Sequence, residues 1–163
     1  GVVTVESEPG RGSAFRVFFP VSETEVLRDA SPAVPAPVAP ESGTILLVED
    51  DELMRIAAAR ILRHMGYSVL EAADGVAALE VYRLRRGEIR GVLCDMTMPR
   101  LDGWETLTAL RALDPDLPVI LASGYDEEQV MAGHHAVLPQ AFLHKPYLTA
   151  DLQAALAAAL HRV

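Results

Sequence analysis

Four short apolar runs in this chain each end in residues able to do chemistry. Ile45 to Val48 is followed by Glu49, Asp50 and Asp51; Val92 to Cys94 by Asp95; Val119 to Leu121, after one alanine, by Ser123; and Phe142-Leu143 by His144 and Lys145. Open α/β sheets present their ligand sites at the carboxyl ends of their strands, so these positions form one candidate centre. Carboxylates set side by side from two strands raise one another's pKa unless a cation intervenes, which calls for a hard divalent ion. Mg2+ suits best: it takes one or two carboxylates, a carbonyl and several waters, and leaves room for a phosphoryl oxygen. A carboxylate beside Mg2+ is a nucleophile toward phosphorus, and the product is an aspartyl phosphate. Asp95 is the candidate nucleophile, at the centre of the site, while Glu49 and Asp50 at its edge are placed to hold the metal. Lys145 is the only lysine among 14 Lys and Arg residues. A compact ammonium, rather than a planar fork, meets a single phosphoryl oxygen or carboxylate. Pro146 biases His144 and Lys145 toward extended backbone, and Ser123, followed by Gly124, offers a hydroxyl donor.

The elements that must carry these residues are legible from periodicity. The four runs and a fifth, Tyr67 to Leu70, are too short and too apolar to face water on one side, which predicts buried parallel strands. Helix-period segments separate them. Met54, Ala58, Ile61, Leu62 and Met65 share one stripe, as do Leu152, Leu156, Ala159 and Leu160. Asp51, Asp74 and Thr149 are the expected N-caps of the first, second and fifth helices, and Arg83, Arg85 and Arg86 suit the end of the second. Strict β and α alternation over about 120 residues predicts an α/β fold, a doubly wound sheet with helices on both faces. Ahead of it, Val2 to Val5 and Phe15 to Phe19 flank Pro9-Gly10-Arg11-Gly12, the pattern of a hairpin. From Val21 to Gly43, Pro32, Pro35, Pro37 and Pro40 exclude helix and central strand and predict a semi-rigid linker.

Composition narrows the setting. The 163 residues, half of them hydrophobic, allow one domain of ordinary size plus spare length. A net charge of −9 and a pI near 4.9 argue against a nucleic-acid backbone or an anionic membrane surface as direct partner. The single cysteine makes no internal disulfide, and no apolar run approaches the roughly 20 residues that span a bilayer. A reducing, cytoplasmic setting is expected. The chain opens on Gly1 without a signal peptide and reads as a piece of something longer.

The segments ILLVEDDE, LCDMTMPRLDG, VILASGYD and FLHKPY, in this order and spacing, resemble the receiver domain of two-component signalling systems. The likeness covers residues 44 to 163 and implies a flavodoxin-like sheet of strand order 2-1-3-4-5. It implies Asp95 as phosphoacceptor, taking the phosphoryl group from a histidine kinase or a histidine phosphotransfer protein. It further implies Mg2+ held by Asp50, Asp95 and the Thr97 backbone carbonyl, with Glu49 acting through water. Ser123 and Phe142 look like the switch pair, Lys145 like the phosphate-pairing lysine, and Thr97 and Tyr125 occupy the family's hydrolysis-tuning positions. The segment VESEPGRGSAFRVFFP is similar to the last hairpin of a histidine-kinase ATP-binding domain. The upstream parts that hold Mg-ATP and a phosphorylatable His are missing. Together the two likenesses imply the C-terminal end of a hybrid sensor histidine kinase, and with no output domain after Val163 the receiver is expected to relay or to restrain its kinase.

Two other readings stay open on sequence. A Mg2+-dependent phosphohydrolase of the haloacid-dehalogenase type would also use an Asp nucleophile, although it wants a second Asp where Thr97 stands. A docking module that binds a kinase without phosphorylation is the other. Among single residues, Asp102-Gly103 reads as a turn and helix start, Cys94 as a small buried hydrophobe, and His134 and His135 as helix-end or surface residues.

Overall fold

The structure, a computed structural model, describes residues 1–20, 43–125 and 137–160. The linker segment apart from Gly43, the expected fourth helix, and His134 and His135 lie outside them. Two compact units divide the chain between Pro37 and Val38.

The first unit is an antiparallel hairpin of β1 (Val2–Glu8) and β2 (Gly12–Phe18), longer than the apolar runs because Glu6 to Glu8 pair with Gly12 to Ala14. Pro9 and Gly10 hold the centre of its turn, with Gly10 at φ 78° and Arg11 N–H donating to the Glu8 carbonyl at 3.0 Å, as a type II turn requires. Strand alternation sorts Val3, Val5, Phe15 and Val17 onto one face, while Glu6 and Arg16 form an ion pair at 2.8 Å on the other. Both strands are exposed along their whole length.

The second unit is a five-stranded parallel sheet of β3 (Thr44–Val48), β4 (Ser68–Ala72), β5 (Ile89–Asp95), β6 (Val119–Ser123) and β7 (Ala141–His144), in the order β4-β3-β5-β6-β7. That is the 2-1-3-4-5 order expected. Four helices are described: α1 (Glu52–His64), α2 (Gly75–Arg85), α3 (Gly103–Leu113) and α4 (Thr149–Leu160). Alternation along β3 divides the core, Ile45 and Leu47 packing with α1 and α4 and Leu46 and Val48 with α2 and α3. Each fully buried Leu or Ile contributes roughly 1.5–3 kcal/mol, set against the entropy of ordering the chain. The central strands β3, β5 and β6 are buried on both faces as expected, apart from Arg90 near the start of β5. The outer strands are not: Ser68, Glu71 and His144 are exposed, because an edge strand has a neighbour on one side only.

Local signals account for the helix ends. The Asp51 carboxylate accepts the Met54 N–H and Asp74 the Ala77 N–H, both at 2.9 Å, and Asp102 with Glu105 forms a complete capping box. The helix start expected at Asp102-Gly103 is there, and α2 ends at Arg85 with Arg86 as its C-cap. At the end of α1, Gly66 (φ 97°) allows Tyr67 and Gly66 N–H to reach the Leu62 and Arg63 carbonyls, a Schellman ending. Two expectations fail. Thr149 is the first residue of α4 rather than its cap: the Leu148 carbonyl accepts from Leu152, and the Asp151 carboxylate takes the Leu148 N–H at 2.9 Å. Met54 is 59% exposed and stands off the buried stripe, because α1 meets the sheet only from Ala58 onward.

Tyr82, buried in α2, donates its hydroxyl to Asp114 Oδ2 at 2.8 Å and so ties α2 to the end of α3. This hydrogen bond, ahead of the Arg86 charge, holds the Asp114 carboxyl below the usual carboxylate range. A depressed carboxyl stabilises the fold above its unfolded pKa of about 3.9 and loses that contribution as pH falls through the lower folded value. Tyr82→Phe is expected to cost about 1–2 kcal/mol at neutral pH. In urea unfolding that deficit shrinks below pH about 4; a deficit that does not change with pH contradicts the linkage.

Candidate functional site

Parallel register brings the four polar strand ends together. Val48 pairs with Cys94, which sets Glu49 beside Asp95; Asp95 pairs with Ala122, which sets Ser123 next; and Ser123 pairs with His144, which brings Lys145 alongside. The Lys145 N–H donates to the Ser123 carbonyl at 2.6 Å and extends the ladder by one residue. The Lys145–Pro146 peptide bond is cis, an isomer the sequence pattern does not specify.

One oxygen each from Glu49, Asp50 and Asp95 lies within 4.8 Å of the others. Lys145 Nζ donates to Glu49 Oε2 at 2.6 Å and stands 2.9 Å from Asp95 Oδ1. Asp95 Oδ1 also accepts the Met96 N–H at 2.8 Å. Burial pushes the Glu49 carboxyl up, opposed by its hydrogen bond from Lys145 and reinforced by the Asp95 charge. Burial alone would lower the Lys145 ammonium, but its bonds to Glu49 and Asp95 outweigh that and hold it above its usual value. Three carboxylates against one ammonium leave a surplus of negative charge in a half-buried, all-oxygen pocket. Such a donor set fits a hard divalent cation of the Mg2+ class.

Other expected residues fall at or near this centre. Ser123 is buried, and its Oγ accepts the Tyr125 N–H at 2.9 Å, so its proton remains available for donation. Tyr125 and Thr97 are exposed, Tyr125 just beyond β6 and Thr97 in the loop after β5. Phe142 is half-buried on β7, its ring tilted against Trp104 of α3 with centroids 6.3 Å apart. Cys94 is fully buried beside the site; burial, ahead of the charges of Asp95 and Glu49, keeps its thiol protonated.

Three residues escaped sequence reasoning. Arg55 of α1 donates to the carbonyl oxygens of Glu49 at 2.8 Å and Asp50 at 3.3 Å. Glu71, just past the apolar run that ends at Leu70, lies within β4 and pairs with Arg55 and Arg63. Gly103 carries more than a helix start, because a Cβ there would stand 2.7 Å from both the Asp95 carbonyl oxygen and Met96 Cα. The Asp-Gly pair in the sequence was the only hint of that approach, and a turn explained it equally well.

Residues 45–157 match the response regulator receiver domain family. The chain belongs to that family. It is 36% identical over 154 residues to the sensor kinase CckA of Brucella abortus, a match over 90% of this chain and 16% of that kinase. The receiver domain of a hybrid histidine kinase CckA superposes with a TM-score of 0.61 at 37% identity, covering 73% of this chain and all of that one. The CheX–CheY–BeF3–Mg2+ complex of Borrelia burgdorferi gives 0.67 at 25% identity, over 74% of this chain and 90% of that one. This is therefore a receiver domain of the two-component type on the flavodoxin-like fold. The chain spans only a small part of the curated sensor kinase it matches, and no described helix of the receiver is long and apolar enough to cross a membrane.

Two outcomes follow from the site geometry. In Lys145→Met, Glu49 loses both a hydrogen bond and a neighbouring positive charge, so its carboxyl titrates at higher pH than in the parent. A carbon-detected NMR titration of the metal-free receiver reads this, and an unchanged midpoint contradicts it. Gly103→Ala forces the Asp95-Met96 backbone aside and is expected to cost about 1–3 kcal/mol in urea unfolding; a neutral substitution contradicts the close approach.

Proposed function

We propose that this receiver takes a phosphoryl group from a phosphohistidine onto Asp95, and that the chain is the C-terminal part of a hybrid sensor histidine kinase. The observation that carries the reading is the convergence of Lys145, Glu49 and Asp50 on the Asp95 carboxylate. Among the described residues Oδ1 holds both hydrogen-bonding contacts, from Met96 and Lys145, and Oδ2 supplies the attacking lone pair. The new O–P bond forms as the N–P bond of the phosphohistidine breaks; the electron pair leaves with the imidazole nitrogen, which takes up a proton. Asp50, Asp95 and the Thr97 carbonyl would hold Mg2+, with Glu49 acting through water. Mg2+ when bound offsets charge on the transferring oxygens. Lys145 gives up part of its hold on Glu49 and Asp95 to meet a phosphoryl oxygen.

Ser123 then donates its hydroxyl to the phosphoryl group and Phe142 moves into the space behind, so that phosphorylation biases a two-state equilibrium. Thr97 and Tyr125, beside the acceptor and the switch serine, set how long the phosphoryl group lasts. The exposed apolar face of the hairpin supports its reading as the last hairpin of an ATP-binding domain, with the Pro-rich segment as tether. So does the span of the sensor-kinase match, since 154 residues exceed the receiver and reach back before Thr44. The partners are a histidine kinase or a histidine phosphotransfer protein in the cytoplasm, with neither nucleic acid nor membrane in direct contact.

Intact mass after incubation with Mg2+ and acetyl phosphate tests the reading. One labile phosphoryl group is expected, absent from Asp95→Asn and from protein treated with a chelator. A folded protein that gains none from acetyl phosphate or from a phosphohistidine donor overturns it and favours a docking module.

A further inference from the structure

Arg55 stands one turn into α1 with its side chain 18% exposed. A single guanidinium nitrogen donates to the backbone carbonyls of both Glu49 and Asp50, the two residues whose carboxylates converge on Asp95. Behind it, Arg55 Nε lies 3.8 Å from Glu71 Oε2, and Glu71 Oε1 accepts from Arg63 at 2.7 Å. A cation thus links β4 and α1 to the loop that displays the acids. That loop has reason to spread, because its carboxylates repel one another and Asp95. Charge-assisted bonds, roughly twice as strong as neutral ones, oppose the spreading from the backbone side. The planar guanidinium serves both sides at once, one terminal nitrogen meeting the two carbonyls while Nε faces Glu71, which the single point charge of lysine does less well.

We propose that Arg55, steadied by Glu71, is a positioning residue for the divalent-ion site. It holds the Glu49 and Asp50 backbone so that their carboxylates face Asp95 before any ion arrives, and binding need not order the loop. This rests on the reading of the acidic cluster as a Mg2+ site. Groups behind metal ligands typically change affinity by about 10–100-fold when removed.

The test is calorimetric titration of the full chain with MgCl2, together with amide hydrogen exchange of Asp50 and Asp51 in the metal-free protein. Arg55→Met is expected to weaken Mg2+ binding about 10-fold and to speed exchange at both amides. Excess Mg2+ should restore its rate of phosphorylation by acetyl phosphate to near the parent value. Arg55→Lys recovers part of the affinity, and Glu71→Gln shows a smaller loss in the same direction. A folded Arg55→Met with parental affinity and exchange overturns the proposal. So does a rate deficit that excess Mg2+ leaves in place, since it would put Arg55 in the transfer step itself. If Arg55→Met does not melt cooperatively, parental affinity in both Arg55→Lys and Glu71→Gln overturns it. Failure of the parent to bind Mg2+ sinks the metal reading, while the metal-free exchange data still decide whether Arg55 holds the loop.

Discussion

The ammonium of Lys145, shared between Glu49 and Asp95, is the contact on which the organisation of this receiver depends. Carboxylates set within 4.8 Å of one another in a half-buried pocket repel, and the repulsion grows as water is excluded. One cation just past the edge strand β7 offsets part of it across the β5 and β6 strand ends, joining residues 96 positions apart in the chain. The negative charge that remains, on an all-carboxylate donor set, suits a hard divalent ion.

The sheet makes this arrangement possible by being parallel. All five strands point their carboxyl ends to one edge, and the pairing register turns residues far apart in sequence into neighbours. Two apolar layers hold that register, because a slip by one residue would turn Ile45 and Leu47 out of one layer and Leu46 and Val48 out of the other. The precision of the acidic site is thus inherited from packing on both faces of the sheet. The glycine at 103 adds to it, letting α3 press against the backbone of Asp95.

Much of this was legible in the residues alone. The strand runs, the capping aspartates at 51 and 74, the helix start at Asp102-Gly103 and the acidic, serine and lysine strand ends all carried local signals, and the strand order came with the family likeness. Boundaries were less legible: Thr149 looked like a cap, while Leu148 and Asp151 perform that role by a reciprocal bond in which the capping backbone matters more than its side chain. Met54 looked buried because helical period says which face a residue lies on but not where along its length a helix meets the sheet.

The sequence by itself determined the α/β class, the sheet order through its family likeness, and the residue types gathered at one end of the strands, because period, caps and breakers are local properties of the chain. Only the tertiary structure decided the partnerships. That Lys145 grips Glu49 and Asp95, that Arg55 holds the carbonyls behind the acids, and that Gly103 lies against Asp95 depends on distances across the sheet and between helices, which arise when strands pair in register and are written in no single segment.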